Sequence, residues 1–504
     1  VSANGRFYLT AAIDYANGMP HLGHALEKIG ADTIARYRRL KGEDVHFVIG
    51  MDEHGQNIIQ SAEQAGLAPQ EWVDGIAQAF REAWDALLIS RDDFIRTTEP
   101  RHHAAVTELI RRIEAAGDLY RGTYEGWYCI RCEAFKAEDE LEREGDEVRC
   151  PLHPSREIQW TVEENWFFRL SAYRDRLLAL LEERPEFVLP EIRRNEIRRV
   201  LEGGLQDLSV SRALPWGVPW PGAEDEVAYV WIDALTNYLA ATGFPAPDHT
   251  ALWPADVHVI GKDITRFHCI YWPAFLMSAG LPLPRTVWAH GFVGYGGRRL
   301  SKSEGVSFDL DEAIARHGPE ALRYYLLREV PWDADGDITR ERFDERYTAE
   351  LANDLGNLVN RSLSMVERYR AGTVPPPTRR TELDERTDAL AEAYVASMDE
   401  HLLHHGLQAA FDLASAANGF VTASEPWTLA KSADRSADLD AVLHSLARAI
   451  AVLAGMLSPF MPRKMASLAA RLGLDAPPSP AALDDLALAG KKVERGDILF
   501  PRPA

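Results

Sequence analysis

The chain has 504 residues, long enough for several domains each with a core of its own. It is 46% hydrophobic and 26% charged, and 55 Lys+Arg against 77 Asp+Glu give a formal net charge of −22. That balance excludes a global basic field of the kind that drives non-specific nucleic-acid binding, but not a local basic surface. Four cysteines, three of them in one short segment, exclude a disulfide framework. The sequence shows no apolar stretch that reads as a bilayer span and no signal core near its start, so a cytoplasmic location without a membrane partner is expected.

In chain order, the apolar runs 7–13 and 45–50 read as strands. Stretches 25–40 and 69–88 carry apolar residues at three- and four-residue spacing and read as helices. Such alternation predicts a parallel sheet with crossover helices, binding ligands beyond the carboxyl ends of its strands, where Tyr15, His21 and Asp52 fall. From about residue 120 to 215 the pattern changes to charged segments, a cysteine cluster and helices near 173–183 and 191–201. Strands are expected again at 227–232, 257–260 and 286–290, so the middle segment reads as an insertion.

After about residue 339 the chain reads as helical. Phe343, Tyr347, Leu351, Leu355, Val359, Leu363 and Val366 trace one stripe. A stiff Pro375-Pro376-Pro377 break precedes helices at 382–403, 407–423 and 437–457. The fold class expected is α/β: a nucleotide-binding doubly wound parallel sheet with an inserted zinc-knuckle domain, followed by an all-α C-terminal bundle. The boundaries read are 1–115 and 216–298 for the two catalytic halves and 116–215 for the insert. Residues 299–350 form a signature-loop region, and 351–504 the bundle.

Three motifs carry chemistry. His21 and His24 flank Leu22-Gly23 where a strand gives way to a helix, so both imidazoles lie near free N–H groups and a positive dipole end that attract phosphate. Gly23 leaves room for a nucleotide. The turn Gly294-Tyr295-Gly296-Gly297 leads to Lys302 between Ser301 and Ser303, a cation suited to charge building on a departing pyrophosphate. Cys129-x-x-Cys132 and Cys150-x-x-His153 supply four ligands for tetrahedral Zn²⁺; with every position filled, the site is expected to be structural. Cys269 reads as a core residue. Arg193, Arg194, Arg198 and Arg199 read as a solvated face.

This combination resembles the class I aminoacyl-tRNA synthetases, whose two signatures match His21–His24 and Arg299–Ser303. It is most similar to their methionine-specific family. That narrower resemblance rests on Asp14-Tyr15-Ala16-Asn17-Gly18, Asp52-Glu53-His54-Gly55, Tyr229 to Ala234, Gly261-Lys262-Asp263-Ile264 and Phe267-His268. One departure is Arg299-Leu300 in place of the usual Lys-Met.

The resemblance implies activation of L-methionine with Mg²⁺-ATP to an adenylate, then transfer to the 3′-terminal adenosine of tRNA(Met), initiator tRNA included. His21, His24 and Lys302 would be catalytic. His21, Gly23, His24, Asp263, Lys302 and Ser303 would bind ATP, with Asp233 a further candidate near the ribose. Ile13, Tyr15, Asp52, Trp231, Ala234, Leu235, Tyr238, Ile264 and His268 would bind methionine. Asp52 would take the ammonium, with Tyr15 and His268 as polar handles on sulfur.

Asn357, Arg361 and Trp427 would read the anticodon. The modest insert argues against the isoleucine, valine and leucine enzymes. The cysteine enzyme is closer in size, but its family carries substrate-binding zinc in the catalytic domain. The chain's end soon after the bundle favours a monomer. A small nucleotidylyltransferase and a non-catalytic tRNA-binding homologue are the alternatives, the latter disfavoured by intact His21, His24 and Lys302.

Overall fold

The computed structural model describes residues 6–129, 134–136, 141–144, 147–151, 158–299, 308–483 and 486–502. The chain divides into two compact units: residues 1–20, 46–83 and 91–289, and residues 21–45, 84–90 and 290–504.

The first unit is built on a seven-stranded sheet. Its strands are β1 (Arg6–Ala11), β2 (Asp14–Tyr15), β3 (Asp44–Asp52), β4 (Asp93–Arg96), β5 (Val188–Leu189), β6 (Val257–Gly261) and β7 (Thr286–His290). The order is β5-β7-β6-β1-β3-β2, with β4 pairing on β3. The pairs β1–β6, β2–β3, β3–β4 and β5–β7 are parallel, as the strand–helix alternation predicts. β1 and β6 are buried over nearly their whole length, which is why they read as continuous apolar runs rather than alternating ones.

Residues 119–209 contribute a separate antiparallel sheet in which Gln159–Phe168 pairs with Leu119–Cys129 along ten positions. Its outer strands are Leu208–Ser209 and Ala134–Lys136. The expected helices lie at Arg174–Glu183 and Glu191–Glu202. On the latter, Arg193 pairs with Glu196 and Arg194 with Glu191, while Arg198 pairs with Glu182. Three of the four arginines are thus paired locally, and Arg193 is buried rather than on the solvated face expected of it.

One strand expectation fails in part. Residues 227–232 do not form a single strand: a strand Ala223–Ala228 ends there and Val230–Leu235 is helical. Five of that helix's six residues are buried, and a short apolar run buried on all sides has no periodicity to separate helix from strand.

In the second unit, the helix Leu22–Leu40 is followed later in the chain by a hairpin, Val293–Tyr295 with Arg298–Arg299, that also pairs with Gly336–Ile338. Helices from Leu310 to Arg471 complete it, including Glu382–Asp399, Leu403–Ser424 and Ser436–Leu457. The seven-residue stripe 343–366 is wholly buried. The sequence reading missed one point on the membrane question: the stretch Ala433–Leu457 does have the length and hydropathy of a bilayer span. Its most apolar 18-residue window is 94% buried within the protein, so it is a bundle's core helix.

Candidate active site

The carboxyl ends of β1, β3 and β6, adjacent in the sheet order, open on a cavity of about 190 Å³. After β1 come Ala12 and Ile13, and β2 adds Tyr15. β3 ends on Asp52. Beyond Gly55, whose φ of 106° no side-chain-bearing residue adopts readily, the helix Gln56–Ala65 brings in Asn57. Val230, Trp231, Ala234 and Leu235 come from one face of the helix Val230–Leu235, with Tyr238 just beyond it. Ile264 and His268 follow β6. All nine residues expected to surround an amino acid line this one cavity. Ala12, Asn57 and Val230 line it too and were missed; each is a near neighbour in sequence of an expected residue, which is the signal that could have found them.

The wall is tied internally. His268 Nδ1 donates to the Ile264 carbonyl oxygen at 3.0 Å, so the neutral ring's Nε2 accepts a hydrogen bond from the Tyr238 hydroxyl at 2.7 Å. Both nitrogens have partners in the wall, so His268 presents its ring to the cavity and fixes Tyr238. Trp231 stacks on Phe267 with centroids 3.5 Å apart and planes 6° from parallel.

The Asp52-Glu53-His54 segment sends each side chain to a different task. Asp52 lines the cavity. Glu53 accepts from Arg96 Nε at 2.6 Å and Thr98 Oγ1 at 2.5 Å. His54 bonds to Asp233.

Asp233 corrects another expectation. It is 0% exposed and bonds to His54 Nδ1 at 2.7 Å and His102 Nε2 at 2.6 Å. Burial opposes its ionisation, yet the two histidines outweigh that and hold its carboxyl well below the usual range. A carboxylate so enclosed is part of the scaffold, not a contact for a ribose. Asp263, by contrast, is exposed in the turn after β6. Its Oδ1 lies 2.6 Å from where a Cβ on Gly261 would stand, so the glycine leaves the carboxylate room to fold back over the strand end.

In the second unit, His21 caps the helix Leu22–Leu40, its Nδ1 accepting the Gly23 N–H at 3.1 Å. The ring proton is therefore on Nε2, which makes that nitrogen a donor. The His21 and His24 rings stack with centroids 3.7 Å apart. A Cβ on Gly23 would meet His21 Cε1 at 2.9 Å; the glycine makes room for the His21 ring itself, beyond the nucleotide space expected of it. The turn before the second signature is a hairpin with φ of 59° at Gly296 and 77° at Gly297, anchored by the Gly297 N–H on Asp337 at 2.8 Å. Lys302 and Ser303 lie outside the described residues.

Cys129 and Cys150, each 1% exposed, share a small buried cluster with Ile158. Cys132 and His153 lie outside the described residues. Among the described residues no group of three or more metal-ligating side chains forms. Cys269 is buried in the core, and burial pushes its thiol up. Asn357 and Arg361 are exposed one turn apart on the helix Asn357–Arg370, and Trp427 is 40% exposed.

A family model described as tRNA synthetases class I (M) matches residues 7–363. The methionine–tRNA ligase of Brucella suis is 44% identical over 501 residues, covering 98% of this chain and 94% of that relative. The chain belongs to the methionine–tRNA ligase family. The methionine–tRNA ligase of Thermotoga maritima is 42% identical over 506 residues, 99% of this chain and 80% of its own length. Among solved structures, the Mycobacterium tuberculosis methionyl-tRNA synthetase in complex with methionyl-adenylate superposes with a TM-score of 0.94 at 41% identity. It covers 99% of this chain and 100% of its own. Family membership makes this chain an aminoacyl-tRNA synthetase.

Proposed function

We propose that the cavity below the β1, β3 and β6 ends takes L-methionine, and that the chain activates it with ATP and transfers it to tRNA(Met), initiator tRNA included. The observation that carries this reading is the cavity itself. Apolar and aromatic side chains suited to a flexible thioether surround it, and among its described lining residues Asp52 is the one carboxylate, placed to pair with the ammonium. The methionine carboxylate attacks the α-phosphorus of ATP and pyrophosphate departs. The 3′-terminal hydroxyl of the tRNA then attacks the carbonyl carbon and AMP departs.

His21 through Nε2, with Gly23 and His24 at the same helix start, binds the phosphates. Asp263 contacts the adenylate. Lys302 and Ser303 stabilise the charge that builds as pyrophosphate leaves, and Mg²⁺ enters with ATP. The Mycobacterium tuberculosis relative with its methionyl-adenylate supports the first step.

Residues 116–215 form an inserted domain between catalytic halves 1–115 and 216–298, with 299–350 the signature-loop region and 351–504 the anticodon-binding bundle. The buried thiols Cys129 and Cys150, brought into one cluster, fit one half of a Cys₃His zinc site. Cys132 and His153 would complete it, and the metal would pin the insert's loops together without touching substrate. A cytoplasmic monomer is the expected form.

The purified chain should charge tRNA(Met) with methionine in the presence of ATP; failure to charge it overturns the reading. Lys302→Ala should depress adenylate formation by on the order of 10²–10³, measured by single-turnover pyrophosphate release. A change confined to the methionine KM contradicts the role given to Lys302. Trp427→Ala should cut tRNA charging by roughly 5- to 150-fold, the worth of one base stack of ~1–3 kcal/mol, while leaving pyrophosphate exchange intact. Equal loss in both assays would make Trp427 structural.

A further inference from the structure

We propose that Asp233, bridged between His54 and His102, is a positioning residue that sets the distance between the carboxylate and aromatic walls of the amino-acid cavity. The inference rests on the reading of that cavity as the methionine site.

Three chain segments meet at this carboxylate. His54 comes two residues after Asp52, Asp233 lies between Trp231 and Ala234, and His102 is on the helix Pro100–Ala115. Asp52, Trp231 and Ala234 all line the cavity, while Asp233, on the other side of its helix turn, points away from it. An aspartate carboxylate only accepts, so both imidazoles donate to it. One bond therefore joins the Asp52 segment to the Trp231 helix, and the second joins that helix to a long, packed one.

Among the described residues His102 has no hydrogen-bond partner on its Nδ1, so the Asp233 bond is what orients the ring. His54 is further wedged edge-on between the His103 and Trp216 rings, with both centroids 5.6 Å away. Trp216 in turn donates to the Glu53 carbonyl at 2.6 Å. The arrangement resists sliding of either wall, and removing one donor leaves a buried carboxylate half-satisfied. The Asp52 carboxylate and the Trp231 ring can then shift apart. Loss of about 1 Å in placement weakens binding of a ligand that must touch both.

The test compares variants that keep a donor at the same place with variants that remove it. His54→Asn retains a donor near Nδ1 and His102→Gln one near Nε2; His54→Leu and His102→Leu retain none. Asp233→Asn keeps the shape but meets one of the two N–H groups with another donor. Methionine and ATP kinetics are measured by pyrophosphate exchange, with thermal melts alongside.

The leucine variants and Asp233→Asn should raise the methionine KM at least tenfold, leave the ATP KM within threefold, and lower kcat less than KM rises. His54→Asn and His102→Gln should stay within threefold of the wild type. Unchanged methionine KM in folded leucine variants overturns the proposal, as does equal impairment of the donor-retaining pair. If the leucine variants do not fold, Asp233→Asn decides by the same criterion. Titration of the wild type with methionine, followed by tryptophan fluorescence, separates the two levels: no saturable response overturns the methionine reading of the cavity, and this proposal with it.

Discussion

Asp52→Asn is expected to raise the methionine KM in pyrophosphate exchange by roughly 30-fold to several-thousand-fold, with the ATP KM unchanged. Asp52 ends β3 and is 8% exposed among Ile13, Trp231, Leu235 and Tyr238. An ammonium drawn into such a lining gives up water, and the carboxylate is what offsets that loss. Asparagine keeps the shape and one acceptor but leaves the cation without a counter-charge. Truncating one partner of a desolvated ion pair costs about 2–5 kcal/mol, which sets the range above. Because the ammonium neither makes nor breaks a bond and keeps its charge as the carboxylate attacks, the pair is present in ground and transition states alike, so the loss falls mainly on KM. A methionine KM within threefold of the wild type would show that the ammonium binds elsewhere.

Arg323→Leu is expected to destabilise the second unit by about 3–5 kcal/mol, the cost of stripping a buried charge of its partner. Arg323 is fully buried. It reaches Asp32 Oδ2 at 2.7 Å and donates to the carbonyls of Phe460 at 2.8 Å, Pro459 at 3.0 Å and Leu87 at 3.2 Å. Asp32 stands on the helix that His21 caps, and also accepts from Arg36 and Ser90. One guanidinium thus fastens that helix to the chain near residue 460. Leucine fills part of the volume but leaves three carbonyls and a carboxylate short of a donor. Urea unfolding should show a lower midpoint at unchanged slope, and the double variant Arg323→Leu/Asp32→Leu should lose less than the two singles summed. A single-variant loss below 1 kcal/mol would contradict the account.

Much of the site was legible because strand ends are. Tyr15 and Asp52 lie just beyond the ends of apolar runs, where a parallel sheet presents ligands, while Ile13, Ile264 and His268 were implied by the family resemblance. What was not legible depends on pairing over long separations. Asp233 meets His54 across 179 residues and His102 across 131; nothing local distinguishes a carboxylate so enclosed from one facing a nucleotide.

The helix Val230–Leu235 was missed because burial on every side erases periodicity. The stripe 343–366 was read correctly as one buried face, but not its geometry. Its residues run mostly four apart, and at ~3.6 residues per turn such a row drifts around an α-helix. The π-helical stretch Tyr347–Gly356, with its wider turn, keeps the row facing the core. Asn357 begins where that stretch ends.

Exchange of labelled pyrophosphate into ATP by the purified chain, run with each amino acid in turn, tests the central claim most directly. The account predicts saturable exchange with methionine and, at equal concentration, at least tenfold less with isoleucine, leucine, valine or cysteine. Exchange driven best by one of those four, or none with methionine, would contradict it.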